Sequence, residues 1–284
     1  MIDLYKRRKK RLAARYREQL ASSKQTVSEA DIVIALQQEG ITQGDVLMVH
    51  SSFRQIGYVE HGPKTLIDAL LRVVGDKGTL MMPAFPAVGF NDDYLKSKPV
   101  FDIQKTPSRM GVVTETFRQM SGVLRSFHPT DSVIARGKDA AFLTKDHFGQ
   151  LTPYNENSPF FRLCSLHGKI LMIGVGLESL TNLHTLEDAV GDFRFPVYHK
   201  MTVDAVMIDA LGQQHTMRTK VHNPEFSKKR RCNDLMPHFE AAGFLKHFQL
   251  GQAACLLIDA GAMHQWMLEN YTSRGITMYT PKGY

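Results

Sequence analysis

Between Asp45 and Phe85 the chain runs strand, loop, helix, strand, and that order constrains the fold more than any other stretch. Asp45–His50 (DVLMVH) is a short apolar run. The loop after it carries Gly57 and Gly62, and Pro63 sits in the first turn of an amphipathic helix. Gly75 and Gly78 then turn the chain into TLMMPAF, a second apolar run. Apolar strands separated by a helix suggest an α/β layer.

A third apolar run, Ile170–Ile173, opens the segment KILMIGVGLESLTNLHTLED over residues 169–188. Gly174 and Gly176 break the strand, and Ser179 or Thr181 can cap a following helix. His184 and Glu187 are spaced i, i+3, so a helix places them on one face. A histidine is the natural proton acceptor near neutral pH, and a neighbouring carboxylate fixes its tautomer. Such pairs also occur on exposed helices with a purely structural role, so both readings stay open at this point. The pair is not a zincin site, which needs two histidines four residues apart.

The remaining chain adds helices and turns around these strands. Residues 3–22 read as one basic helix, and Ser28 precedes an amphipathic helix closed by Gly40. Residues 86–109 read as an irregular polar excursion of the kind that borders a site. Met110–Met120 and Lys138–His147 are expected to be helical, and Pro153–Pro159 rich in turns. Asp204–Asp209 and Gln214–Lys220 read as a β-hairpin turning at Gly212. A helix around Leu235–Gly243, a strand at Ala253–Ile258 and a helix at Ala262–Tyr271 complete the pattern. The expected organisation is a basic helical arm over residues 1–26 and one unit over 27–284, with a β-rich portion at about 196–225.

Composition narrows the function classes. The 284 residues are 43% hydrophobic, enough to bury a core, and no run of 18 apolar residues suggests a membrane span. The charged N-terminus lacks the apolar stretch of a signal peptide, so a cytoplasmic protein is expected. Cys164, Cys232 and Cys255 are too scattered for a disulfide framework or a zinc site, and none reads as a nucleophile. Much of the net charge of +7 sits in Lys6–Arg17, with eight Lys or Arg residues, and in the KKRR run at 228–231. Both read first as solvated surface and second as phosphate-attracting sites. Zinc-finger spacing, a P-loop, a dinucleotide fingerprint and a GxSxG elbow are all missing, and no nucleic-acid partner is expected.

Two further constellations can carry chemistry. In His50-Ser51-Ser52-Phe53-Arg54, a strand empties into small hydroxyl residues near Gly57, which opens backbone N–H groups to a ligand. In RSFHPTDSVIARG (125–137), a cation, hydroxyls and a histidine share one loop, and Arg125 could hold a phosphate.

Together with DVLMVHSSFRQIGYVEHGPKTLIDALLRVVGDKGTLMMP (45–83), RSFHPTDSVIARG (125–137), SPFFRLCSLHGKILMIGVGLESLTNLHTLED (158–188) and, more loosely, HFEAAGFLKHFQLGQAACLLIDA (238–260), the chain resembles the aminoglycoside 3-N-acetyltransferase family. The resemblance covers most of residues 30–270 in the family's order and leaves out the basic arm. It implies an α/β/α layered fold with a smaller β-rich C-terminal portion, acetyl-CoA as donor, an amine acceptor and no metal. The family's His and Glu fall on His184 and Glu187. Its CoA-contacting loops fall on Ser51, Ser52, Phe53, Arg54, Ile56, Gly57 and Tyr58, and on Arg125, Ser126, His128, Ser132 and Val133. Phe85, Thr181 and Asp188 are the expected acceptor contacts, and a backbone N–H or a hydroxyl such as Thr181 or Ser132 is the expected oxyanion donor.

An amine is mostly ammonium at neutral pH and must lose a proton before attack, which His184 can accept with Glu187 supporting the imidazolium. One departure bears on the acceptor. Where the resistance enzymes usually carry a Thr-rich segment, this chain has Ala84-Phe85-Pro86-Ala87, and it is basic overall. The expected acceptor is therefore an amino group on a nucleotide-linked or surface-polysaccharide amino sugar. The alternatives are an aminoglycoside acetyltransferase conferring antibiotic resistance and a non-catalytic CoA binder. A homodimer is left open.

Overall fold

The computed structural model describes residues 26–284, so the expected basic arm lies outside the described residues apart from Thr26. Strand β1 (Thr26–Val27) precedes helix α1 (Glu29–Gln38). Ser28 caps α1 as the sequence suggests: its hydroxyl accepts from the Asp31 N–H, and the Asp31 carboxylate accepts from the Ser28 N–H. Strand β2 (Val46–Ser51) leads through a 3-10 turn (Phe53–Ile56) and β3 (Tyr58–Val59) to α2 (Pro63–Val74) and β4 (Thr79–Pro83). The middle of the chain forms α3 (Asn91–Lys96), β5 (Val100–Asp102), α4 (Val112–Arg118), β6 (Leu124–Arg125), β7 (Val133–Gly137), α5 (Ala140–Thr144), α6 (Pro159–Ser165) and β8 (Lys169–Ile173). Then come α7 (Thr185–Ala189), β9 (Val203–Ile208), β10 (Gln214–Thr219), α8 (Pro224–Ser227), α9 (Met236–Ala241), β11 (Leu245–Leu250), β12 (Ala253–Asp259) and α10 (Ala260–Arg274).

Seven strands form the main sheet in the order β11-β12-β8-β2-β4-β7-β6. The central strands β8, β2 and β4 run parallel, and the flanking pairs are antiparallel. Alternation along each strand sends side chains to opposite faces. Met48, Met81, Ile170 and Met172 pack with Phe160 and Leu163 of α6 and Met263 of α10. Leu47, Val49, Leu80 and Leu171 pack with Leu36 of α1, Leu66 of α2 and Phe117 of α4. The sheet is thus buried on both faces, and the fold is the expected α/β/α layering. Each fully buried Leu, Met or Phe contributes roughly 1.5–3 kcal/mol relative to exposure. No helix among the described residues is long and apolar enough to cross a membrane.

A second sheet, β10-β9-β5, carries the expected hairpin and adds a parallel strand from the excursion. Residues 86–109 are therefore not irregular throughout. Phe101 of β5 is buried against Met207 and Met217, and that burial supplies the reason for the strand. The edge strand β11 has no counterpart in the sequence reading. Its central residues Lys246, His247 and Gln249 are exposed, so no apolar alternation marks it.

Arg125 ties the excursion to the main sheet. Its guanidinium donates to the carbonyls of Thr106 (2.5 Å) and Ala84 (2.6 Å) and to the Ser132 hydroxyl (3.1 Å). It also lies 4.6 Å over the Phe101 ring. Burial lowers its pKa to about 10, so it stays charged. Arg125→Met would leave the Thr106 carbonyl without its donor, while Ser132 still donates to Ala84, and would lower the unfolding free energy by about 1–3 kcal/mol. Urea denaturation at neutral pH checks this; an unchanged midpoint would mean the excursion is held by other contacts.

Candidate active site

The C-terminal ends of parallel strands are where α/β sheets leave a crevice. Here β2 and β4 end in His50, Ser51 and Pro83, and these residues line a cavity of about 450 Å³. Its walls are completed by Phe85 and Asn91, by Val175 and Thr181 after β8, by His184, and by His222 and Arg230 from beyond the hairpin. Gly174 makes the turn out of β8 with φ at +61°, and a Cβ there would lie 2.4 Å from that of Gln55. Gly176 differs: its backbone is extended, and a Cβ there would meet the side chains of Glu178 and Asn233.

The segment after this turn is less regular than expected. Two 3-10 turns, Leu177–Ser179 and Thr181–His184, precede α7, and neither Ser179 nor Thr181 caps a helix. His184 stands at the start of α7 and Glu187 in its first turn. Both are buried, and His184 Nδ1 lies 2.8 Å from Glu187 Oε2.

Glu187 collects two more partners. His222 Nε2 is 2.7 Å from the same Oε2, and the Tyr279 hydroxyl donates to Oε1 at 2.7 Å. An ionised carboxylate only accepts, so His184 carries its proton on Nδ1 and His222 on Nε2. His184 Nε2 then keeps a free lone pair, with no hydrogen-bond partner among the described residues. Tyr154 stacks on the His184 ring at 4.8 Å, and its hydroxyl is anchored on Asp131 Oδ1 at 2.7 Å.

Burial alone would raise the Glu187 pKa, but the two histidines outweigh it and hold the carboxyl well below the usual range. Burial lowers His184 to about 4 against the pull of Glu187, so the ring is neutral at physiological pH. His184, Glu187 and His222 also have the donor types of a metal site. Their N–O separations of 2.7 and 2.8 Å are those of hydrogen bonds. Tetrahedral ligands at roughly 2.0–2.1 Å from a zinc ion would stand about 3.3 Å apart. The set is built to share protons.

The expected site residues divide. Ser51, Phe85, Thr181 and His184 line the cavity, and Glu187 lies directly behind it. Ser52, Phe53, Arg54, Ile56, Gly57 and Tyr58 form the turn after β2 without lining it; Ile56 and Gly57 are buried and Arg54 is exposed. Asp188 does not face the cavity either. It accepts from the Tyr154 N–H and the Tyr198 hydroxyl, each at 2.8 Å, and so ties together the rings that back His184 and His222.

Arg125, Ser126, His128, Ser132 and Val133 do not line this cavity. Arg125 is engaged by backbone carbonyls rather than open to a phosphate. Ser126 accepts from the Val133 N–H and meets His147 Nδ1 at 3.0 Å. His128 stacks on His147 and accepts from the Asp131 N–H. Ser132 donates to the Ala84 carbonyl, which removes it as an oxyanion donor. Ser126, His128, Ser132 and Val133 are fully buried, and these side chains lie behind the cavity wall.

His222, Tyr279, Tyr154 and Arg230 were missed. They join the site from 35 and 92 residues beyond Glu187 (His222 and Tyr279) and from loops without periodicity. The KKRR run is also divided: Lys228 and Lys229 are exposed, Arg231 pairs with Asp234, and Arg230 turns into the cavity.

Three buried histidines give a pH signature. Burial lowers His50 to about 4, His128 to about 3 and His184 to about 4, from an ordinary 6.5. Between pH 6.5 and 4 the unfolded chain therefore takes up protons that the folded chain refuses. Stability is fully present above about pH 7 and is lost as pH falls, by up to about 1.4 kcal/mol per pH unit for each histidine. Chemical denaturation between pH 4.5 and 8 checks this, and a flat profile would contradict the neutral state of the three rings.

The chain is similar in sequence and in fold to known proteins. A family model described as aminoglycoside 3-N-acetyltransferase matches residues 48–272. The aminoglycoside N(3)-acetyltransferase VII of Streptomyces paromomycinus is 36% identical over 177 residues, covering 57% of this chain and 61% of the relative. The chain thus spans about three fifths of the length of the curated relatives it matches. Two solved structures are similar over nearly their whole length. AAC-IIIb in a binary complex with CoASH has a TM-score of 0.73 at 26% identity, covering 88% of this chain and 97% of that one. AAC-VIa bound to sisomicin has a TM-score of 0.74 at 26% identity, covering 88% and 98%. With the family match running from β2 to α10, the chain belongs to the aminoglycoside 3-N-acetyltransferase family.

Proposed function

We propose that this chain is an acetyl-CoA-dependent N-acetyltransferase that acts on an amine of an aminoglycoside by direct transfer. The observation that carries the reading is His184: its Nδ1 is held by an ionised Glu187, and its unpartnered Nε2 edge belongs to a cavity wall. The relatives named above support aminoglycosides as the acceptor class better than the nucleotide-linked or polysaccharide amino sugars that the basic composition suggests. The CoASH complex of AAC-IIIb supports the donor. The cavity is bordered by the neutral imidazole of His184, which suits a reaction between a thioester and an amine. A role in antibiotic resistance follows from the same acceptor class.

His184 Nε2 takes a proton from the acceptor nitrogen as that nitrogen bonds to the acyl carbon, and returns it to the departing thiolate. Glu187 keeps Nδ1–H in place and stabilises the imidazolium between those two steps. A covalent route through cysteine finds no support. Burial pushes Cys164 up to about 12 and Cys232 and Cys255 up to about 11, so none is a thiolate at neutral pH.

Thiol release from acetyl-CoA, followed with sisomicin-type aminoglycosides and with nucleotide-linked amino sugars, tests the reading. Turnover of the aminoglycosides is expected, and turnover of the nucleotide sugars alone would restore the other acceptor class. His184→Ala should lower kcat by roughly 10²- to 10⁴-fold, and Glu187→Gln by a smaller factor within that range. Equal, slow release by wild type and His184→Ala with every amine would instead identify a non-catalytic CoA binder.

A further inference from the structure

We propose that His50 donates the hydrogen bond that stabilises the oxyanion formed on the acyl carbonyl during transfer. The assignment rests on the acyl-transfer reading above and adds a second imidazole to it. His50 stands near the end of β2, is 6% exposed and lines the same cavity as His184. Neither of its ring nitrogens has a hydrogen-bond partner among the described residues; Nε2 is enclosed, so the N–H offered to a ligand is the one on Nδ1. Buried polar groups are normally paired, and an orphan beside a cavity calls for a ligand atom.

The other buried histidines around the site do not fit this role. His184 and His222 are engaged by Glu187, and His147 by Ser126 and the Pro153 carbonyl. His128 keeps an unpartnered Nε2, but it does not line the cavity. Ser132 is engaged by Ala84 and Arg125. Thr181 is the competing donor, half-buried on a 3-10 turn.

His50 is also placed correctly relative to the base. It pairs in register with Met172 of β8, the neighbouring parallel strand. That strand ends one residue later and turns at Gly174 toward His184. The two imidazoles thus come from the same end of adjacent strands. Burial keeps His50 neutral, and a neutral fixed donor meets developing charge without reorganising water.

In the step, the acceptor, having already lost its ammonium proton to solvent, forms its bond from the neutral nitrogen to the acyl carbon, and the carbonyl π pair moves onto oxygen, where the His50 N–H meets it. His184 Nε2 takes the proton leaving nitrogen. The oxygen pair then re-forms the carbonyl, the C–S bond breaks, and the thiolate takes the proton from His184. The products are the amide and CoA thiol.

The test compares His50→Leu, which removes the donor, with His50→Gln, which keeps an N–H of similar reach, and with Thr181→Val. In thiol-release assays with acetyl-CoA and sisomicin, His50→Leu should lose roughly 10²- to 10³-fold in kcat, and His50→Gln should recover part of it. KM for acetyl-CoA and the calorimetric Kd for free CoA, which has no acyl carbonyl, should stay within about twofold of wild type. Thermal unfolding of His50→Leu should be no lower than wild type, since the substitution removes an unpaired buried polar group. Wild-type kcat in His50→Leu, a loss confined to KM and CoA affinity, equal rates in His50→Leu and His50→Gln, or a larger loss in Thr181→Val would each overturn the assignment. Absence of thiol release by wild type with every amine would remove the acyl-transfer reading itself, and His50 with it.

Discussion

The Glu187 carboxylate is buried, ionised and surrounded by three donors: His184, His222 and the Tyr279 hydroxyl. A lone buried carboxylate would be strongly disfavoured, and paired in this way it becomes the fixed charge of the site. It sets the tautomer of both histidines at once, because it can accept but not donate. It also fixes where residues from three distant parts of the chain must meet. The hairpin segment brings His222, the C-terminal tail brings Tyr279, and α7 brings both His184 and the carboxylate itself. Tyr154 and Tyr198 then stack on the two imidazoles, and both are tied to Asp188.

The layered sheet makes this assembly rigid where it needs to be. Parallel β2, β4 and β8 end at one side, and each contributes an edge of the cavity through His50, Pro83 or the turn at Gly174. The excursion closes the cavity from another side, and Arg125 holds it down through the carbonyls of Thr106 and Ala84. A loop that the sequence presents as a phosphate-binding candidate is thereby part of the frame. Its polar residues are buried because the frame needs hydrogen bonds there, and a polar sequence does not distinguish those two uses.

Much of the frame was legible from local chemistry. Ser28 with Asp31, Pro63 after Gly62, and the apolar runs at 46–51, 79–83 and 169–173 each announce their element through a cap, a turn or a burial pattern. Strand β5 and edge strand β11 did not, since one is held by a single buried Phe101 and the other exposes its middle. At the site, His184 and Glu187 were visible as an i, i+3 pair, although the segment between Gly174 and Thr185 forms 3-10 turns instead of one capped helix. Ser51, Phe85 and Thr181 line the cavity, whereas Arg125, Ser126, His128, Ser132 and Val133 do not.

By itself the sequence determined most of the strand and helix pattern, the layered class and the proximity of His184 to Glu187, because caps, periodicity and i, i+3 spacing act over a few residues. The tertiary structure decided which polar groups are engaged and which remain available. It gave Glu187 its second and third donors, engaged Arg125 and Ser132 in the frame, and left the imidazole of His50 without a partner at the cavity wall. Hydrogen-bond satisfaction is settled by whatever lies across the fold, so it becomes readable only when segments far apart in the chain stand next to one another.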